Sequence, residues 1–179
     1  MKLTLIRHTS VDVPKGICYG SSDVPLAPTF RNEMEQIRKK LGMGTFDATF
    51  SSPLSRCTIL ASAIISEENI RIDHRLTELN FGNWEMLQWE SFYESDEGKI
   101  WYSDYVNNRC PNGESFADLL GRTDLFLADL QKTNFKRVLV VTHAGVIRAM
   151  MCLLEHKTPE EAFQTPLEYG QIVNFNFEK

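Results

Sequence analysis

Leu3-Thr4-Leu5-Ile6-Arg7-His8-Thr9 decides how this chain is read. A short, nearly continuous apolar run predicts a strand buried on both faces, the kind found in parallel sheets covered by helices. The arginine and histidine leaving its end set a nitrogen nucleophile beside a cationic clamp, a pairing suited to a phosphate. Taken alone, the pair reads as surface residues closing a strand, so other segments must supply the rest of a reaction.

Working outward, residues 2–7 form the strand, and Phe30, Met34, Ile37 and Leu41 then recur at helical spacing before Gly42 and Gly44 end that segment. Asp47-Ala48-Thr49-Phe50 is a second strand. Ser51-Ser52-Pro53 predicts a serine cap with proline at the first helical position, opening a helix to about Ser66 with Leu54, Cys57, Ala61, Ile64 and Ile65 on one face. Phe116, Leu119, Leu120, Phe126 and Leu130 mark another helix, Arg137 to Thr142 is the clearest strand, and Ala144 to Leu154 is helical. Gln171 to Phe177 alternates as an edge strand with one wet face does. Such alternation predicts an α/β three-layer sandwich: a mostly parallel central sheet with helices on both faces. The reading is one domain over residues 1–179, with a small cap inserted at about 84–110.

A length of 179 residues, 42% hydrophobic and 24% charged, fits one soluble domain with a sizeable core. Nineteen basic against twenty-four acidic residues leave a net charge of −5, so no nucleic-acid footprint is expected and any phosphate site is a local basic pocket. Cys18, Cys57, Cys110 and Cys152 form no CxxC pair, which argues against a zinc knuckle and suits reduced thiols in a cytoplasm. The apolar start is too short for a secretory signal, and no run is long enough to span a bilayer. The expected location is cytoplasmic, with no membrane partner; the sequence sets no oligomeric state. His8, His74, His143 and His156 show neither HxH nor HExxH spacing and no adjoining carboxylate cluster, so neither a metal nor another cofactor is expected.

Ligands of open α/β sheets bind beyond the carboxyl ends of the strands, and Arg7-His8, Ser51 through Arg56, and His143 all follow predicted strands. Arg56 falls in the first turn of its helix, where the macrodipole disfavours a cation by a few tenths to about 1 kcal/mol, so a neighbouring anion is expected. After His143 the small pair Ala144-Gly145 opens a helix whose free N–H groups could face an anion. Singly, a snorkelling arginine or a core histidine bonded to a carbonyl explains each of these residues as well.

Six blocks in order resemble the histidine phosphatase, or phosphoglycerate mutase-like, superfamily over nearly the whole chain. They are Arg7-His8-Thr9, Gly20-Ser21-Ser22-Asp23-Val24-Pro25-Leu26, Ser51-Ser52-Pro53-Leu54-Ser55-Arg56-Cys57, Leu76-Thr77-Glu78-Leu79-Asn80-Phe81-Gly82-Asn83-Trp84-Glu85, Gly113-Glu114-Ser115 and Val141-Thr142-His143-Ala144-Gly145. The tract from Arg7 through Pro14 to Cys18-Tyr19-Gly20 is most similar to the α-ribazole phosphatase branch, which acts in cobalamin nucleotide-loop assembly. The resemblance implies that His8 is the nucleophile that becomes phosphohistidine. By the same resemblance Arg7, Arg56 and His143 form the phosphate pocket and Glu78 donates the proton, with Glu85 and Glu114 as weaker candidates that orient the pocket. The chemistry wants such a set: phosphoryl transfer spreads charge over three equatorial oxygens, and an unactivated alkoxide needs a positioned acid. Many relatives carry glycine where Thr9 stands and asparagine where Pro14 falls. The phosphate contact of that asparagine is therefore missing or replaced, and Ser22 could substitute for it. Relatives also often carry Thr and Gly after the Asp-x-Pro-Leu tract, where this chain has Ala27 and Phe30.

Residues 84–105 hold all three tryptophans with Phe92, Tyr93, Tyr102 and Tyr105, interleaved with acids. They read either as a lid that excludes water and stacks a ring, with Trp84 on the substrate, or as an aromatic satellite core. The acids would disfavour polyanionic substrates. The expected function is therefore a metal-independent phosphomonoesterase acting on a small-molecule ester, α-ribazole 5′-phosphate above all. The alternatives are a broad-specificity phosphatase, a phosphoglycerate mutase, which would need a second anion site, and a non-catalytic module that binds phospho-ligands.

Overall fold

Alternation within the two central strands presents an apolar row to each face of the sheet. In the computed structural model, which describes residues 1–42, 44–65 and 70–177, β1 (Lys2–Arg7) lies parallel to β4 (Arg137–Thr142), with Leu5 opposite Val140 and Arg7 opposite Thr142. β2 (Ala48–Ser51) flanks β4 and carries β3 (Ile70–Ile72), both parallel, while β5 (Ile172–Asn176) pairs antiparallel with β1 at the other edge. The order is β3-β2-β4-β1-β5.

Leu3, Leu5, Val138 and Val140 pack against α5 (Phe116–Gln131), α6 (Ala144–Glu155) and Ala162 of α7 (Pro159–Gln164). Ile6, Leu139 and Val141 face the other way, onto Ile37 of α1 (Phe30–Leu41) and Cys57, Leu60 and Ala61 of α2 (Ser55–Ile64). Helices cover both faces, as expected, because both rows need burial.

α2 begins two residues later than the Ser-Pro signal predicts. Ser51 stays in β2, and the Ser52 amide donates to the Val141 carbonyl at 3.0 Å, so pairing with β4 outcompetes capping and Leu54 takes the N-cap position. Ser66 lies outside the described residues. β3 is too short for periodicity to reveal. The sequence reading also lacked α7, although its Thr158–Glu161 capping box and Pro159 were available as signals. Between 84 and 110 the chain forms α3 (Trp89–Tyr93) and α4 (Asp96–Ser103), and Trp84, Phe92 and Trp101 bury together with Cys18 and Cys110 in a separate cluster.

Candidate active site

Backbone pairing continues past the strand ends and fixes the register of the polar residues there. The His8 amide donates to the Thr142 carbonyl at 3.0 Å, one step beyond the β1–β4 ladder, so His8 and His143 emerge side by side. Their rings meet edge to face, 5.1 Å between centroids. His8 is 2% and His143 0% exposed.

His8 Nδ1 lies 2.8 Å from the Thr9 carbonyl, which can only accept, so the proton sits on Nδ1 and Nε2 keeps its lone pair. Burial, then the Arg56 charge, lowers the His8 pKa to about 3; the Thr9 carbonyl opposes the shift and Arg7 adds to it. The ring is a neutral nucleophile across the physiological range. His143 is held well below its ordinary value, first by burial, then by His8 and Arg56, and its Nε2 meets the Ser52 hydroxyl at 2.7 Å.

Two neutral buried histidines make the fold acid-sensitive. Above pH 6.5 neither state binds the proton, whereas below it the unfolded chain takes protons that the folded chain refuses. Stability therefore falls by about 1.4 kcal/mol per pH unit for each histidine until the folded value is reached. Urea unfolding at pH 7.5 and 5.0 should show about 2 kcal/mol lost through His8, which His8→Ala protein escapes, and a further loss in the same direction through His143. Equal losses in the two proteins would refute a neutral His8.

Arg7 donates from Nη1 to the Leu167 carbonyl at 2.5 Å and lies 4.0 Å from the centroid of Tyr169, whose hydroxyl meets that of Tyr19 at 2.6 Å. Arg56, fully buried, gives Nη1 to the Ser22 carbonyl (2.7 Å) and Nη2 to the Gly20 carbonyl (2.6 Å). Its terminal nitrogens thus hold the 20–22 loop, and its charge reaches His8 through space. The Nε atoms of Arg7 and Arg56 and the Thr9 hydroxyl are buried without a partner among the described residues. An unpaired buried donor costs about 1–3 kcal/mol, so their gathering at one strand end marks a functional place.

Glu78 accepts from the Leu79 amide at 3.0 Å and the Gly145 amide at 3.1 Å. The α6 N-terminus does meet an anion, but it is this carboxylate. A Cβ at Gly145 would meet Glu78 Oε1, so the glycine leaves the carboxylate room to sit against the helix start. A residue absent from the sequence reading holds the segment: Arg122 of α5 donates to the carbonyls of Arg75 (2.6 Å), Thr77 (2.6 Å) and Glu78 (3.0 Å) and pairs with Glu114 at 2.9 Å. Glu114 therefore braces that arginine. Glu85 accepts from the amides of Gly20, Ser21, Ser22 and Phe81. Burial would raise its pKa, but hydrogen bonds from Ser22, Gly20, Phe81 and Ser21 together hold it below the usual range. The structure makes it the organiser of the loop that carries Arg56's acceptors.

A cavity of about 300 Å³ opens beside this group, lined by Arg7, His8, Glu78 and Gly145 together with aromatic rings including Trp89, Trp101 and Tyr105. Two sequence expectations shift here. Trp84 is 4% exposed and stacked on Phe92 at 4.6 Å, outside the cavity wall, because the narrow turn before α3 turns it into the satellite cluster; Trp89 and Trp101 stand in its place. Ser22 and Ala144 are not in that wall either: Ser22 is tied to Glu85 and Arg56, and Ala144 is buried in the core. The acids of the cap also point elsewhere, leaving Glu78 as the acid among the lining residues. Among the described residues no three His, Cys, Asp or Glu side chains converge as a metal ion would need, and no helix is long and apolar enough to cross a membrane.

The family model for the histidine phosphatase superfamily, branch 1, matches residues 3–179. Among curated proteins, "Putative phosphoserine phosphatase 2" of Hydrogenobacter thermophilus is 26% identical, covering 99% of this chain and 90% of that protein. The adenosylcobalamin/alpha-ribazole phosphatase of Escherichia coli is 28% identical, covering 95% and 87%. Among solved structures, the alpha-ribazole phosphatase from Shigella flexneri superposes with a TM-score of 0.90 over 100% of this chain and 92% of that one, at 24% identity, a likeness of fold.

Proposed function

This chain belongs to branch 1 of the histidine phosphatase superfamily, and we propose that within it the protein is a phosphomonoesterase that works through a phosphohistidine at His8. The observation that carries the reading is the His8 ring itself: neutral, with Nδ1 tied to Thr9 and Nε2 without a partner among the described residues, lining one cavity with Arg7 and Glu78. Nε2 attacks phosphorus, the ester P–O bond breaks, and the departing alkoxide takes a proton from Glu78. A water that then gives its proton back to Glu78 attacks the phosphohistidine, releasing phosphate and restoring His8. Arg7, Arg56 and His143 steady the charge on the transferring oxygens.

Within this class the substrate we favour is α-ribazole 5′-phosphate, an intermediate-sized ester whose flat leaving group suits rings such as Trp89, Trp101 and Tyr105, with residues 84–110 acting as the cap. Cationic side chains do the charge stabilisation that a metal would otherwise do, so no cofactor is needed. The four cysteines are free thiols, which supports a reducing cytoplasm. A panel of phosphomonoesters assayed in excess chelator tests these statements. Inorganic phosphate should be released, fastest from α-ribazole 5′-phosphate, and magnesium should change the rate little. Isomerisation of phosphoglycerate without phosphate release would mean a mutase, tight product binding without turnover a binding module, and loss of activity in chelator restored by one divalent ion a metalloenzyme.

A further inference from the structure

Two tyrosines link the two arginines of the phosphate pocket, and the chemistry of His8 and Glu78 needs neither. The Tyr169 centroid lies 4.0 Å from the Arg7 guanidinium carbon, the Tyr19 centroid lies 5.4 Å from that of Arg56, and the two hydroxyls meet at 2.6 Å. Tyr169 also sits 5.6 Å from His8 between ring centroids. Each tyrosine is held by its own segment. Tyr169 lies in the turn before β5, where the Gly170 amide donates to the His8 carbonyl at 3.1 Å, the Arg7 amide to the Gln171 carbonyl at 3.0 Å and the Gln171 amide to the Glu168 carbonyl at 3.2 Å. Tyr19 follows Cys18, whose amide donates to the Leu87 carbonyl at 2.8 Å and whose carbonyl accepts from Met86 at 2.7 Å, and it precedes Gly20, whose amide donates to Glu85. The hydroxyl contact therefore bridges two backbone segments that are each already fixed.

Arg7 and Arg56 bring like charges to one pocket, and both bear on His8. Cations that share a field repel one another, more strongly as water is excluded. A ring face presents the negative side of its quadrupole to a guanidinium, which steadies the arginine without neutralising it. The Nε atoms of both arginines keep no partner among the described residues, so donors remain for an oxyanion. The hydrogen bond between the hydroxyls then sets the spacing of the two rings, and through them of the two guanidinium groups. Burial first and the Tyr169 hydroxyl second push the Tyr19 pKa up, against the pull of Arg7 and Arg56, so the bridge stays protonated. Phosphoryl transfer gains from cations that already stand where charge develops, because nothing has to reorganise at the moment of reaction. Tyr169 is not among the residues lining the cavity, so its effect runs through Arg7.

We propose that Tyr19 and Tyr169 are positioning residues that act as one unit, setting the spacing of Arg7 and Arg56 so that the pocket fits the phosphoryl group in transfer better than it fits bound phosphate. The inference rests on the phosphomonoesterase reading for the anion that the arginines meet, not on which ester the enzyme turns over best.

Two anions test it: inorganic phosphate, which has the shape of the product, and orthovanadate, which accepts a fifth ligand as phosphorus does in transfer. Their affinities are measured by calorimetry, with kcat and KM on one alkyl phosphate and urea midpoints alongside. Tyr169→Leu removes the ring face and the hydroxyl together. It should weaken vanadate binding by about two- to thirtyfold, the range of a cation–π contact, and phosphate binding less. The loss in turnover should fall on kcat with KM little changed. Tyr19→Phe and Tyr169→Phe keep both faces and lose only the shared hydrogen bond, so each should lose about two- to tenfold on vanadate. The double phenylalanine variant should lose no more than either single one, because one bond is removed in all three. The phenylalanine variants decide the matter if the leucine variant does not fold. Equal weakening of both anions, native vanadate affinity in folded Tyr169→Leu protein, or additive losses in the double variant overturns the inference. A native protein that binds both anions yet releases phosphate from no ester would sink the phosphomonoesterase reading instead, while the anion affinities would still decide the role of the tyrosines.

Discussion

His8→Ala protein is expected to lose at least about 10⁴-fold in phosphate release from every ester, because no other group at the site offers a free nitrogen lone pair at the end of β1. Native protein mixed with labelled substrate and quenched in alkali should carry one phosphate per chain, stable to base and released by acid, as phosphoramidates are. The alanine variant should carry none. The expectation is sharp because the Thr9 carbonyl fixes the tautomer and burial with the Arg56 charge keeps the ring neutral, so nucleophilicity should not vanish as pH falls from 7 to 5. Undiminished turnover by the variant, or label on another residue, would remove His8 from this role.

Glu78→Gln gives the second large effect, and its size should depend on the leaving group. On an alkyl phosphate the loss should be about 10²–10⁴-fold, the usual worth of a general acid, whereas an activated aryl phosphate, whose phenolate departs without a proton, should lose far less. The Leu79 and Gly145 amides donate to different oxygens of Glu78, and glutamine keeps one acceptor for one of them, so a urea midpoint checks that the loop stays in place and the difference between the esters reports the proton. Equal losses on both esters would mean that Glu78 positions the phosphate, and the acid would then have to be sought elsewhere in the cavity.

Local pattern was enough for much of the architecture. The apolar run before Arg7 and the one from Val138 to Val141 are strands because a continuous aliphatic stretch can be buried on two faces only inside a covered sheet. The recurrences through α1, α5 and α6 are helices because an apolar stripe at that spacing needs one covered side. Order within the chain also made six blocks resemble one superfamily, and the branch 1 match over residues 3–179 shows that family. What sequence spacing left open is which atoms meet. Glu85 and Glu114 read as weaker candidates that orient the pocket, and the structure shows the contacts each makes: one gathers the 20–22 loop and the other braces Arg122, which the sequence reading lacked and which reaches three carbonyls of the Arg75–Glu78 segment.

Trp84 and Trp101 likewise share one aromatic tract and one satellite core, and only the turns around α3 and α4 leave the second with a place on the cavity wall and the first without one. The sequence by itself determined the strands other than β3, the main helices and which polar residues follow the strand ends, because those depend on neighbours a few positions away. The tertiary structure alone decided the β3-β2-β4-β1-β5 order that sets His8 against His143, the use of the α6 N-terminus for Glu78, and the link from Arg7 through Tyr169 and Tyr19 to Arg56. Each of these depends on partners tens of residues distant, whose approach is fixed by packing of whole layers and leaves no periodic trace in the chain.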